Sequence, residues 1–247
     1  MKLEADLHTH TVASGHAYST LKEMVEAARQ KGLKMLGITD HGLRMPGGPP
    51  PMYFANMVVW PRIMQGVEVL RGVEANILDT SGRLDVPEEV LAQLDLVLAG
   101  FHSGTGYEGT TVEDNTRAMI AAIKNPYVHI IVHPGNPQYP VDMEKVVLAA
   151  KAYGKALEIN SNSFFVRPGS APRCYHLAQL AKKHRVMVAV NSDAHIYCSV
   201  GDCDAAVSLV TEVGIEESCI LNSSADRVRE FLALHRQANE VQASTNM

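Results

Sequence analysis

Seven short apolar runs, separated by stretches of helical periodicity, constrain this chain more than any other feature, because each run closes on a polar residue suited to chemistry. The runs are Leu3–Leu7, Lys34–Thr39, Val67–Val73, Leu94–Phe101, Val128–Val132, Ala156–Ile159 and Val186–Val190. They lead into His8 and His10, Asp40-His41, Glu74, His102, His133, Asn160, and the sequence Asn191-Ser192-Asp193-Ala194-His195. Short apolar runs without strict alternation read as doubly buried parallel strands. Between them, Leu21–Lys31 begins with a capping-box pattern at Thr20 and Glu23 and stops at Gly32. Helices are also expected at Ala55–Gln65 (broken at Pro61), Pro87–Gln93, Thr111–Lys124, Asp142–Tyr153, Pro172–His184, Asp202–Val213 and Ala225–His235. Ile77–Leu84 reads as a small hairpin, and Gly42 to Pro51 as a loop long enough to cover or select a substrate.

Strands alternating with helices imply an α/β fold with parallel pairing and right-handed crossovers. Seven strands suggest a barrel one unit short of eight, with an open doubly wound sheet as the rival. In either architecture ligands bind at the carboxyl ends of the strands. A length of 247 residues suits a single domain spanning 1–247, with a polar, frayed tail from about Gln237. The net charge of -5 gives no basis for a nucleic-acid surface. The start, Met1 to Asp6, lacks an apolar signal core, and no run reaches the roughly 18 apolar residues of a membrane span. Cys174, Cys198, Cys203 and Cys219 have no paired spacing and read as reduced thiols of a cytoplasmic protein.

Eleven histidines are many for this length, and their placement is the informative part. His8 and His10 are two apart, so on a regular strand they share one face with Asp6, leaving Leu7 and Thr9 on the other. With His16, His41, Glu74, His102, His133, Asp193 and His195, six of the seven strands or their loops contribute a metal-ligand type. Nine such residues exceed the needs of one four-coordinate ion and suit three, with one carboxylate bridging. Nitrogen-rich ligation fits zinc, with manganese or iron as alternatives.

Taken together, Asp6-Leu7-His8-Thr9-His10, Thr39-Asp40-His41-Gly42, Gly72-Val73-Glu74-Ala75-Asn76, Gly100-Phe101-His102, His133-Pro134-Gly135-Asn136-Pro137 and Ser192-Asp193-Ala194-His195 resemble the PHP (polymerase and histidinol phosphatase) superfamily. The likeness runs from about residue 3 to 235 and is strongest to the stand-alone YcdX-type phosphatases. It implies a distorted seven-stranded, TIM-like barrel holding three divalent ions. Carried over residue by residue, it assigns His8, His10, Glu74 and Asp193 to a first metal. Bridging Glu74, with His102 and His133, takes a second, and His16, His41 and His195 a third. It also makes a homo-oligomer, such as a trimer, an expectation.

The chemistry so implied is metal-dependent hydrolysis of small phosphate monoesters by a hydroxide bridging the first two metals, with Glu74, Asp193 and His195 as the catalytic set. Arg167 is the first candidate for a phosphate clamp, with Arg44 and Arg62 behind it, and Asn160 is a candidate substrate contact. Asp6 could orient a ligand imidazole. His129 reads as structural, and His176, His184 and His235 as helix-borne surface or core residues. Three other readings share the residue pattern: an amidohydrolase, a phosphodiesterase or nuclease, and a non-catalytic metal-binding module. The first lacks a strand-end lysine here, and the second lacks a basic track.

Overall fold

The computed structural model describes residues 1–109 and 111–245, with side chains described to residue 239. Its strands are β1 Ala5–Thr9, β2 Met35–Ile38, β3 Ile63–Met64, β4 Val67–Asn76, β5 Leu96–Gly100, β6 Ile130–Ile131, β7 Ala156–Asn160 and β8 Val188–Asn191. Seven of them pair in parallel in the order β1-β2-β4-β5-β6-β7-β8. The seam between β8 and β1 has a single parallel bridge, Thr9 to Ala194. Side chains close the rest of it. Asn191 Oδ1 accepts from Leu7 N at 3.0 Å, and Asn222 accepts from Val190 N while donating to the Ala5 and Val190 carbonyls. The result is a nearly closed α/β barrel.

The helices follow the sequence signals. α1, Leu21–Gln30, carries both halves of the Thr20–Glu23 capping box. α2 is Pro51–Asn56, α3 Glu88–Leu91, α4 Val112–Lys124 (capped by Thr111), α5 Met143–Ala152 (capped by Asp142) and α6 Ser163–Val166. α7 Ser170–His184, α8 Asp204–Val213 and α9 Ala225–Thr245 complete the chain. α9 runs past the expected tail boundary at Gln237. No helix among the described residues is long and apolar enough to cross a membrane.

Alternation decides what fills the barrel. Leu96 and Leu98 of β5, Ile130 of β6, Ala156 of β7 and Ala189 of β8 form an inner cluster with Leu221, Val228 and Phe231, so α9 and the turn before it plug the amino end. Val97, Ala99, Leu157 and Ile159 join the larger cluster beneath the outer helices. The carboxyl end is left to polar side chains.

Two local expectations are corrected. Residues 55–65 are not one helix. α2 ends at Asn56, Met57–Val59 form a 3-10 turn, and β3 pairs antiparallel with β4. Gln65 and Gly66, both with positive φ, make the two-residue turn that matches strand twist. Asp6 does not share a face with His8. The β1–β2 register shifts between Asp6 and Thr9, and such an irregularity resets the side-chain period. Leu7 therefore packs in the inner cluster, while Asp6 turns away and accepts from Ser192 N and Gly201 N. β2 passes this point closely, since a Cβ on Gly37 would lie 2.7 Å from the Leu7 carbonyl oxygen.

Candidate metal centre

Glu74, at the end region of β4, is fully buried, and five imidazoles surround its carboxylate. Its Oε2 lies 3.3 Å from His8 Nε2, 3.4 Å from His10 Nε2 and 2.8 Å from His41 Nδ1. Its Oε1 lies 2.9 Å from His102 Nε2 and 2.8 Å from His133 Nε2. Asp193 Oδ1 sits 3.5 Å from His8 Nε2 and 3.3 Å from His10 Nε2. Four ligands held tetrahedrally at zinc distances stand roughly 3.3–3.5 Å apart along each edge. The four measured nitrogen–oxygen separations in the His8, His10, Glu74 and Asp193 set have that size. Beside it, His16 Nε2 and His195 Nε2 approach to 3.2 Å, and the His16 ring stacks on His41. His10, His41 and His195 present nitrogens within 4.8 Å of one another, as do the ligand atoms of His41, Glu74 and His102.

Acceptors stand on the far sides of four of the rings, each placed to take a proton from Nδ1. His8 Nδ1–H donates to Glu158 Oε1 at 2.7 Å. His102 Nδ1–H donates to Asn76 Oδ1 at 2.7 Å, an oxygen oriented by the Asn76 amide donating to Asp85. His195 Nδ1–H donates to the Asp193 carbonyl at 3.0 Å. His10 Nδ1–H donates to Ser14 Oγ at 3.1 Å, and that hydroxyl donates to Asp40 Oδ1 at 2.7 Å. In the neutral ring this leaves Nε2 bare on each of the four, facing carboxylates or, for His195, the Nε2 of His16. His8 Nε2, His10 Nε2, His41 Nδ1 and Glu74 Oε2 are buried atoms with no hydrogen-bond partner among the described residues. Lone pairs facing lone pairs in a dry site call for a cation between them, so these residues fit divalent metal.

Charge leads the same way. Glu74, Glu158 and Asp193 are buried, and Arg167 is the guanidinium that contacts Asp193. Burial pushes the Glu74 carboxyl up, but attraction to His102, His8 and His41 outweighs it and holds Glu74 well below the usual range. Burial likewise raises Asp193, and His8, His10 and Arg167 pull it well below its ordinary value. These buried anions, with Asp40 also buried beside Ser14, outnumber the one guanidinium and need further positive charge. His133 and Asp193 are held at positive φ, 33° and 57°, so two of the cluster residues sit on strained backbone.

The nine residues expected as metal ligands thus converge. The substrate candidates divide. Arg167 lines the cleft over the cluster, its Nη1 donating to Ser163 Oγ at 2.9 Å and both Nη atoms lying 3.3 Å from Asp193 Oδ2. Asn160 is fully buried beneath, its amide donating to Glu158 Oε2 and Asp193 Oδ2, its oxygen accepting from Ser163 N. That side chain braces the carboxylates and is committed to the protein. Arg62 pairs with Asp95 at the amino end of β5, away from the cluster. Arg44 is exposed on the loop after β2. His129 accepts from Val97 N, as a structural histidine does.

Two residues went unread. Glu158, mid-strand in β7, accepts from His8 Nδ1, Asn191 Nδ2, Asn160 Nδ2 and His133 N. Asp40 accepts from Thr11 N, Ser14 Oγ and Tyr53 Oη, tying α2 to the His10 ring. A charged residue in an apolar parallel strand, in phase with Asn160, was the available signal for Glu158.

A family profile described as the PHP domain matches residues 6–244. The chain belongs to the PHP domain family. Similar sequences include a probable phosphatase of Caldanaerobacter subterraneus subsp. tengcongensis, 50% identical over 96% of this chain and 94% of that one. Another is a probable phosphatase of Caldicellulosiruptor bescii, 50% identical over 95% of this chain and 98% of the relative. Among solved structures, histidinol phosphate phosphatase from Lactococcus lactis, complexed with zinc, L-histidinol and phosphate, matches with a TM-score of 0.63. It is 19% identical over 86% of this chain and 94% of that one, so the likeness shows the shared PHP barrel.

Proposed function

We propose that this PHP protein is a metal-dependent phosphatase that hydrolyses small phosphate monoesters at the carboxyl end of its barrel. The single observation that carries the reading is the set of buried, unpartnered ring nitrogens and carboxylate oxygens, whose far-side hydrogen bonds leave bare lone pairs turned inward. The relatives named as probable phosphatases support it, as does the zinc complex of the fold neighbour.

His8, His10, Glu74 and Asp193 would hold one ion, Glu74 with His102 and His133 a second, and His16, His41 and His195 a third. Ions held by these residues would supply Lewis acidity toward phosphoryl oxygens and would lower the pKa of a bound water. The protein's own groups do the rest. Glu158, Asn76 and the Ser14–Asp40 pair keep the ring protons of His8, His102 and His10 outward, so these three imidazoles offer their inner nitrogens. Arg167, steadied by Ser163 and Asp193, presents a planar guanidinium to an arriving phosphate, and charge-assisted bonds would orient that phosphate for in-line attack. The cleft above, about 650 Å³, accommodates a small ester.

The test is chelation and reloading, followed with an aryl phosphate. Activity that disappears with the metal and returns with zinc, manganese or iron supports the reading. Full activity in stripped protein, or none in reloaded protein, contradicts it.

A further inference from the structure

The walls of the cleft above the cluster carry two kinds of side chain. The phosphate end is charged, with the imidazoles, Asp193 and Arg167. The remainder carries four neutral hydrogen-bonding side chains, Ser103, Asn136, Gln138 and Asn162, interleaved with Met45, Pro137, Val166 and Pro168. Gln138 is exposed at the rim, and its amide donates to Ser103 Oγ at 2.6 Å. Among the described residues, Asp193 is the one carboxylate in this lining, and it is already held by Arg167 and turned toward His8 and His10. Of the other buried carboxylates around the cluster, Glu74 and Glu158 are bonded to its rings, and Asp40 is held by Thr11, Ser14 and Tyr53. Asp202 borders the adjacent hollow behind His195 and is ion-paired with Lys31.

A leaving group seated here therefore meets hydroxyl and amide groups that both donate and accept, set among apolar side chains. Among the described residues of this lining it meets no carboxylate besides Asp193; exposed Glu108, which acts on Tyr139, is not part of that lining. A sugar or polyol, with hydroxyls at its edges and C–H groups on its faces, satisfies such a wall. An ammonium or imidazolium would lose hydration with no carboxylate to replace it. Resting on the phosphatase reading, we propose that the preferred substrates are phosphate monoesters of uncharged, hydroxyl-rich alcohols. Cationic amino alcohols, the class to which the L-histidinol bound by the fold neighbour belongs, would be disfavoured.

The experiment compares kcat/KM of the metal-loaded enzyme for four esters and a reference. Glycerol 3-phosphate and glucose 6-phosphate form the neutral arm, phosphoethanolamine and histidinol phosphate the cationic arm, and p-nitrophenyl phosphate the reference. The neutral arm should lead by about tenfold, carried mainly in KM. Gln138→Glu, at an exposed rim position, should move the ratio toward the cationic arm by about tenfold without changing metal content. Equal or better turnover of the cationic arm overturns the proposal, as does an unchanged ratio in Gln138→Glu. If p-nitrophenyl phosphate is cleaved and neither arm is, the substrate class is wrong while the phosphatase reading stands. If none of the five is cleaved, both fall.

Discussion

Replacing Glu158 by Gln changes one oxygen to an amide in a pocket that has room for no new donor. Each carboxylate oxygen accepts two hydrogen bonds: Oε1 from His8 Nδ1 and Asn191 Nδ2, Oε2 from His133 N and Asn160 Nδ2. The amide NH2 must replace one oxygen, and in either orientation it confronts two donors. If it faces His133 N, the backbone group cannot reverse its role. If it faces His8, the ring can accept only by moving its proton to Nε2, the atom turned toward Glu74 and Asp193. Each buried donor left without an acceptor costs about 1–3 kcal/mol, so the pair costs about 2–6 kcal/mol. For a chain of this size that corresponds to a fall in Tm of about 5–20 °C. Metal affinity should fall about 10–100-fold, as expected when the outer partner of a ligand histidine is lost. Competition against a chelator of known affinity, and melting curves with and without zinc, measure both. A Glu158→Gln variant with wild-type affinity and wild-type Tm would refute the reasoning about ring orientation.

Other outcomes follow from the same geometry. Arg167→Ala removes the guanidinium from the phosphate end, so kcat/KM should fall about 10–100-fold and inhibition by inorganic phosphate should weaken in parallel, with the metal content retained; unchanged phosphate inhibition would remove Arg167 from that role. Burial lowers the buried Lys155 ammonium from 10.5 to about 8, equivalent to roughly 3 kcal/mol of unfavourable burial. Because the folded value lies below the unfolded one, that cost is complete below pH 8 and fades as pH approaches the unfolded value, so stability rises with pH across this window. Lys155→Met should accordingly stabilise the fold at pH 7 by up to about 3 kcal/mol in urea unfolding, the gain narrowing above pH 8; no gain, or a gain independent of pH, would contradict this. His16→Ala should lower the metal count by one while leaving the melting curve of the stripped protein unchanged, and a full count would detach His16 from the cluster.

The strands and the metal cluster were legible because both are written locally. A parallel strand is a short apolar run, and the residue ending it stands at the carboxyl mouth wherever the barrel closes. His41, Glu74, His102 and His133 were found on that rule alone. The unread residues break it. Glu158 lies inside its apolar run, with Ile159 after it, and only the tertiary arrangement shows that its inward face meets His8 and His133. Asp40 read as a neighbour of His41, while its work passes through Ser14 to His10. Register was the other blind spot. A strict period of two places Asp6 beside His8, and the shift after Asp6 is set by pairing with β2, which a single strand's pattern does not encode. Likewise β3 is too short to show periodicity, and the Gln65-Gly66 turn that creates it is weaker as a signal than Asn-Gly. Arg62 could not be separated from Arg167 by residue type; only its pairing with Asp95 places it at the opposite end.

The central claim, that the inward-facing lone pairs are metal ligands, is tested most directly by elemental analysis of the full chain, purified without chelator, dialysed against trace zinc and normalised to protein concentration. The nine converging ligands predict three ions per chain. A result of one ion or none would contradict the account.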